Sequence, residues 1–548
     1  MGYKKLFIAC AVCLVNTLEV KGQEVVKVWE EPLTLPTYLT RAPDKNPMFF
    51  RGQSYQGASR YIYPYALSDN LTDKKTDKTY RAVYLENEYI KLCVLPEIGG
   101  RLFYATDKTN GYELFYRQHV IKPANIGMLG AWISGGVEFC VFHHHRASTN
   151  LTVDYRLEQN EDGSATIWIG ETEPRHRMKW TLGITLYPGK SYLEVDGRLY
   201  NATENTNSIL YWANVATHAN PDYQVFFPPG TDFTVYHAKN SFAHWPVTSS
   251  TYNGKDHYKN NIDASWWKNH PDPVSMFAHD IKEGFLAGYD HGKKAGTMHV
   301  ANHHIVKGAK LWEWGPGPYG SMWDSKVLTD SDGPYAELMA GAYSDNQPDY
   351  SWLKPYEYKT FKQYWYPLRE TEGAVAASIN AAINMKQVNE KEALIAVNTT
   401  QRYHDATISL YQGAREVFNT VVSIAPEAPF RKIVTLPNAN IESLTLLLKD
   451  QNGEDLLTYQ PVKKESDLPL PEPVIPPKNP EEIISIEELY LTGLRIQQFH
   501  NARINAMPYF QEALKKDPLD SRSNTAMGII KKQEFKLAEA AHYFRTAL

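Results

Sequence analysis

Five stretches of the chain combine residue types that could move a proton or bind hydroxyl groups. Ile98-Gly99-Gly100-Arg101-Leu102 follows a strand-like run; paired glycines permit a tight turn, and Arg101 could reach a cleft and bond hydroxyls. Gly135-Gly136-Val137-Glu138-Phe139 runs into His143-His144-His145-Arg146. In an extended chain alternate residues share a face, so His143 and His145 are expected on one side and His144 on the other. Three histidines beside a carboxylate could ligate a metal, but metal-site spacing is not met elsewhere nearby. Acid–base work or hydrogen bonding suits them better, and neither a metal nor another cofactor is expected. Asn214-Val215-Ala216-Thr217-His218-Ala219-Asn220 carries a further histidine. Trp312-Glu313-Trp314 precedes a Gly-Pro-Gly turn, a shape suited to stacking on a sugar ring. In Asp332-Gly333-Pro334-Tyr335-Ala336-Glu337-Leu338, alternation sets Glu337 opposite Leu338 and beside Tyr335, as a candidate general base. Each stretch also has a plainer reading: a salt-bridged turn, a polar network bracing a sheet, or indoles in a core.

The elements that must position these residues read as strands. From Tyr80 to Tyr366 strand follows strand, including Tyr80–Leu95, Ala165–Gly170, Trp180–Tyr187 and Tyr192–Tyr200, and helical periods are scarce. The fold expected is mainly β: a large antiparallel sandwich over 23–371 with an N-terminal extension. A small Ig-like sandwich is expected over 372–464, an extended Pro-rich linker over 465–484, and helices over 485–548. In the helical part Phe510, Ala513 and Leu514 recur 34 residues on as Phe544, Ala547 and Leu548, and Gly493 and Gly528 mark matching first helices. That period resembles tetratricopeptide repeats, which would imply a protein partner. Two repeats rarely make a stable solenoid, so the repeat region is expected to be incomplete.

Composition narrows the classes. Of 548 residues, 43% are hydrophobic and 22% charged, and the net charge of −5 shows no basic block, which argues against nucleic acid. Aromatics reach 13%, with 36 Tyr and 13 Trp, more than packing alone needs. Lys4 and Lys5 precede an apolar stretch, Leu6 to Val15, too short to span a bilayer. Residues 1–22 therefore read as a signal peptide, with export to the periplasm or medium. Cys10 and Cys13 lie inside the apolar stretch, so a lipoprotein anchor is not expected. No segment of the mature chain reads as transmembrane, and Cys93 and Cys140 read as buried free thiols.

Taken together, the motifs resemble the galactose-mutarotase-like superfamily: paired glycines early, a histidine segment in the middle, and a glutamate strand followed by Asn346-Gln347-Pro348-Asp349 late. The segments 135–139, 214–228, 311–317 and 332–350 most resemble a bacterial family known as domain of unknown function 5107. The resemblance implies a large β-sandwich with a sugar cleft. It also implies Glu337 as general base, His218 as the acid that protonates the ring oxygen, and Arg101 as a substrate contact. The chain departs from epimerases where Gly135–Phe139 and the histidine triplet replace a His-Gly arrangement and add Glu138. Two carboxylates across a cleft suit glycoside hydrolysis. The leading expectation is thus an exported glycoside hydrolase using Glu138 and Glu337. His218 would assist, and Arg101, His143, His144, His145, Trp312, Glu313 and Trp314 would contact an oligosaccharide. An aldose 1-epimerase and a non-catalytic glycan-binding module are the alternatives. Glu138, His218 and Glu337 are expected to converge on one cleft, with Trp312 and Trp314 lining it.

Overall fold

Strand alternation builds the larger domain. In Met178–Leu186 the apolar set Met178, Trp180, Leu182, Ile184 and Leu186 turns inward and is fully buried. The computed structural model describes residues 25–45, 62, 64–127, 130–142, 145–436, 441–464, 468–498 and 504–548. The expected signal peptide, His143 and His144 lie outside the described residues.

The chain is mainly β. An 11-stranded sheet runs, in spatial order, Lys27–Thr40, Leu71–Glu86, Ile90–Leu95, Arg101–Asp107, Val137–Val141, Tyr211–His218, Tyr335–Ala342, Gly308–Glu313, Val274–Ala278, Phe233–Val235 and Phe242–His244. An 8-stranded sheet faces it, with Tyr358–Arg369, Leu193–Asn201 and Met178–Leu186 at its centre. Between them Leu102, Phe139, Val215 and Leu338 meet Trp180, Leu182, Val195 and Trp365 in one apolar core. The N-terminal extension is an edge strand, Lys27–Thr40, laid antiparallel along Leu71–Glu86.

The outer face of the 11-stranded sheet is also covered. Loops bring Tyr116, Trp314 and Leu328, and the short strand Gly130–Trp132 brings Trp132, over one part of it. Leu470 packs over another part, with Trp212, Phe277 and Met339. The Pro-rich segment is therefore a strap on the large domain rather than a free linker. His244 Nε2 meets Leu468 O at 2.9 Å, and Val474 N donates to Lys239 O at 2.9 Å. Proline-fixed backbone loses little entropy when it docks in this way.

Beyond the large domain, two 4-stranded sheets enclose a second core that includes Ile383, Ile395, Ile408 and Leu446. Four helices follow: Ile486–Gln498, Met507–Lys516, Ser521–Gln533 and Leu537–Ala547. Gly493 lies against the Phe510 ring and Gly528 against the Phe544 ring, so the same close approach occurs in both helix pairs. No helix among the described residues is long and apolar enough to cross a membrane.

The closing strand of the second sheet is tied back to the first by a buried ion pair. Arg369 Nε donates to Asp107 Oδ2 at 2.6 Å and Arg369 Nη2 to Asp107 Oδ1 at 2.8 Å. Removing one partner strands a buried charge, which costs about 3–5 kcal/mol. Asp107→Ala is expected to lower the stability of the large domain by about that amount in chemical denaturation. A loss below about 1 kcal/mol, the value of a surface pair, would show that the contact does not hold the sheets.

Candidate functional site

The candidate side chains rise from five neighbouring strands. In Tyr335–Ala342 the residues Ala336, Leu338, Ala340 and Ala342 enter the core, so Tyr335, Glu337 and Met339 occupy the outer face. Register carries that face across the sheet. Glu337 pairs with Ala216 on one side and Trp312 on the other, Tyr335 pairs with His218, and Asn214 pairs with both Met339 and Glu138. Glu138, His218, Trp312 and Glu337 thus share one face of one sheet. Tyr116 packs against the His218 ring at 4.4 Å and the Tyr335 ring at 5.3 Å.

The two glutamates are held very differently. Glu138 is 2% exposed; Trp132 Nε1 donates to its Oε2 at 2.7 Å, Thr149 Oγ1 to its Oε1 at 2.7 Å, and His145 Nδ1 lies 3.0 Å from Oε2. Burial opposes its charge, but His145, Arg101 and Trp132 outweigh that and hold the carboxyl well below the usual carboxylate range. Glu337 is 6% exposed and accepts no hydrogen bond from the described residues. Burial raises its carboxyl, against the pull of Lys310, His145 and Arg101. The two strands carrying Glu138 and Glu337 flank Tyr211–His218, which standard strand spacing converts to a Cα separation of about 12 Å.

Around them lie donors without partners. Arg101 Nη1 donates to Gly135 O at 2.7 Å, while its buried Nε and Nη2 have no partner among the described residues. The Gly135-Gly136 turn below it needs glycine: Gly136 has φ 59°, and a Cβ there would lie 2.4 Å from Leu102 O. Asn214 is buried between Glu138 and Met339, and neither its amide atoms nor the Tyr335 hydroxyl has a partner among the described residues. Lys310 is 2% exposed, two residues from Trp312 on the same face, and donates to Gln347 Oε1 at 3.0 Å. Burial lowers its ammonium, with Glu337 pulling the other way.

Several placements differ from expectation. The strand ends at Val141, so His145 does not continue its alternation. Phe142 and His145 take left-handed φ of 61° and 51°, which folds His145 back onto Glu138. Glu313 does not join Trp312. It pairs with core-facing Ala336 and is fully buried, and neither carboxyl oxygen is bonded. Burial and the neighbouring Asp324 push it well above the carboxylate range, so it is an internal acid rather than a sugar contact. His270 lies 3.7 Å away but stays neutral, because burial takes it down to about 4. Trp314 is stacked on Trp323 at 4.6 Å beneath the loops, and Trp312 is partly exposed. Lys310 and Asn214 were not singled out in the sequence. Their only signal is the i±2 spacing from Trp312 and Ala216.

Residues 58–368, more than half of the chain, match the family described as domain of unknown function DUF5107. The chain belongs to the DUF5107 family. Residues 376–459 match a second description, the second domain of YphG-like proteins. Among solved structures, a TPR-domain containing protein from Parabacteroides distasonis matches with a TM-score of 0.54 and 22% identity, covering 65% of this chain and 56% of that one. The chain therefore spans little more than half the length of that protein. A galactose mutarotase-like protein from Clostridium acetobutylicum matches with a TM-score of 0.36 and 12% identity, over 53% of this chain and 96% of that one. At 22% identity the DUF5107 chain shares a fold with the Parabacteroides protein, which assigns it no substrate.

The ionisation of His218 follows from its packing. Burial, then Lys293, takes its imidazole from the ordinary 6.5 down to about 4. The unfolded chain then binds more protons between about 4 and 6.5, so the stability from neutral His218 is present above 6.5 and lost as pH falls towards 4. The His218 ring signals in NMR are expected to titrate near pH 4, and His218→Asn should flatten the loss of stability across that window. Titration at the unperturbed value would contradict the packing described.

Proposed function

We propose that this protein acts on a carbohydrate, with Glu337 transferring the proton in an aldose 1-epimerase-type reaction. The observation that carries the reading is the contrast between two carboxylates on one sheet face. Glu138 is held by three donors, whereas Glu337 accepts no hydrogen bond from the described residues and is raised by burial. A base that takes a proton from a sugar hydroxyl and later returns it works best with a pKa near the operating pH. His218, uncharged at neutral pH, would offer N–H to the ring oxygen and polarise it as a neutral electrophile. Arg101 and Asn214 supply unpaired donors for hydroxyls, and Trp312 supplies an apolar ring opposite Glu337. The motif order that resembles aldose epimerases supports the same roles.

One observation favours glycoside hydrolysis as a second reading. Glu138 and Glu337 are shifted in opposite directions, as a base and an acid would be. That reading requires Glu138 to give up bonds that now occupy both of its oxygens. Export is proposed from the apolar stretch that follows Lys4 and Lys5. The helix pairs, with their repeated Gly–Phe contact, are proposed as tetratricopeptide-like repeats that dock a protein.

The test is a panel of free aldoses followed by NMR for anomer exchange, with oligosaccharides assayed in parallel. Glu337→Gln is expected to bind sugar as the parent does and to lose about 10²–10⁴-fold in rate. Equal rates in parent and variant would remove Glu337 from the chemistry. Cleavage of an oligosaccharide that both Glu337→Gln and Glu138→Gln abolish would replace epimerisation with hydrolysis.

A further inference from the structure

Proton transfer at Glu337 leaves one group of side chains unused. Glu138 and Cys140 are i and i+2 in Val137–Val141 and project from one face. The left-handed residues Phe142 and His145 return the chain over them. One ligand atom from each of Glu138, Cys140 and His145 then lies within 4.8 Å of the others. We propose that these three residues bind a borderline-soft divalent metal ion of the zinc or cobalt type.

The donor set carries the assignment. Thiolate, imidazole and carboxylate together suit Zn²⁺ and its neighbours rather than Mg²⁺ or Ca²⁺, which prefer oxygen alone. A three-ligand site is also the usual form of a zinc centre that keeps a position for water or substrate. The surroundings look like an outer shell. Thr149 Oγ1 and Trp132 Nε1 each donate to Glu138 at 2.7 Å, and the backbone N–H of His145 donates to Cys140 Sγ at 3.4 Å. Such donors orient the ligands. Cys140 and Glu138 are buried, while His145 is partly exposed and gives access from outside. Arg101 is close enough to act on Glu138 and counts against a cation, but thiolate plus carboxylate outweigh its single charge. On binding, the Cys140 proton leaves to solvent. The imidazole proton moves from Nδ1 to Nε2, and the metal takes the place of the His145–Glu138 hydrogen bond.

The test uses the full chain without a histidine tag, stripped with chelator and then loaded with Co²⁺ or Zn²⁺ separately. About one equivalent of metal should remain after desalting. The cobalt form should show a thiolate-to-metal charge-transfer band that Zn²⁺ displaces. Cys140→Ser should lose the band and Cys93→Ser should keep it, while Thr149→Val should weaken affinity by about 10–100-fold. X-ray absorption of the unmutated zinc form guards against misfolded variants: one sulfur at about 2.3 Å with lighter atoms at about 2.0–2.1 Å supports the site. A shell of nitrogen and oxygen alone, no retained metal, or a band that persists in Cys140→Ser would overturn it. Glu337→Gln should bind metal as the parent does, so failure of the epimerase reading and failure of this site are separate results.

Discussion

The strand Tyr335–Ala342 is buried along its whole length, and that constraint governs the rest of the large domain. One face feeds the core between the sheets. The other lies under loops and the Pro-rich strap. Polar groups on that covered face have little water to turn to. Each must find a partner, change its protonation, or keep a donor open for something that binds there.

All three outcomes occur side by side. Glu138 finds partners and keeps its charge. Glu337 and Lys310 lie diagonally on adjacent strands, and burial drives both towards neutrality. Arg101 and Asn214 keep unpaired donors. The same burial acts on all of them, and for the two carboxyls the charges and donors around each decide the sign. Two carboxylates of identical chemistry, with one strand between them, thus take opposite ionisation preferences. Shifted groups collected on one face in this way support the proposal of a working site there.

The covering segments carry as much of the design as the sheet. Trp132 arrives on the short strand Gly130–Trp132 and supplies a bond to Glu138. Trp314 and Trp323 stack to roof the neighbouring face, leaving Trp312 partly exposed. The strap brings Leu470 onto Trp212 and Met339 from far along the chain. Because these pieces come from distant sequence, the site exists only once the large domain is closed.

The strands, their alternation and the order of the motifs were legible in the sequence, because a period of two is written locally. Arg101, Glu138, His218 and Glu337 could be picked out from residue type and neighbours alone. Alternation, applied one residue further, would also have separated Glu313 from Trp312 and added Lys310. The tertiary structure decided what alternation cannot express. It ended the strand before the histidines and turned His145 back through two left-handed residues. It laid the presumed linker down as a strap, and it covered a face that an antiparallel sheet often leaves in water. Ionisation belongs to the same class. A carboxyl's charge depends on burial and on every donor that surrounds it, and those are sums over residues the chain brings together only by folding.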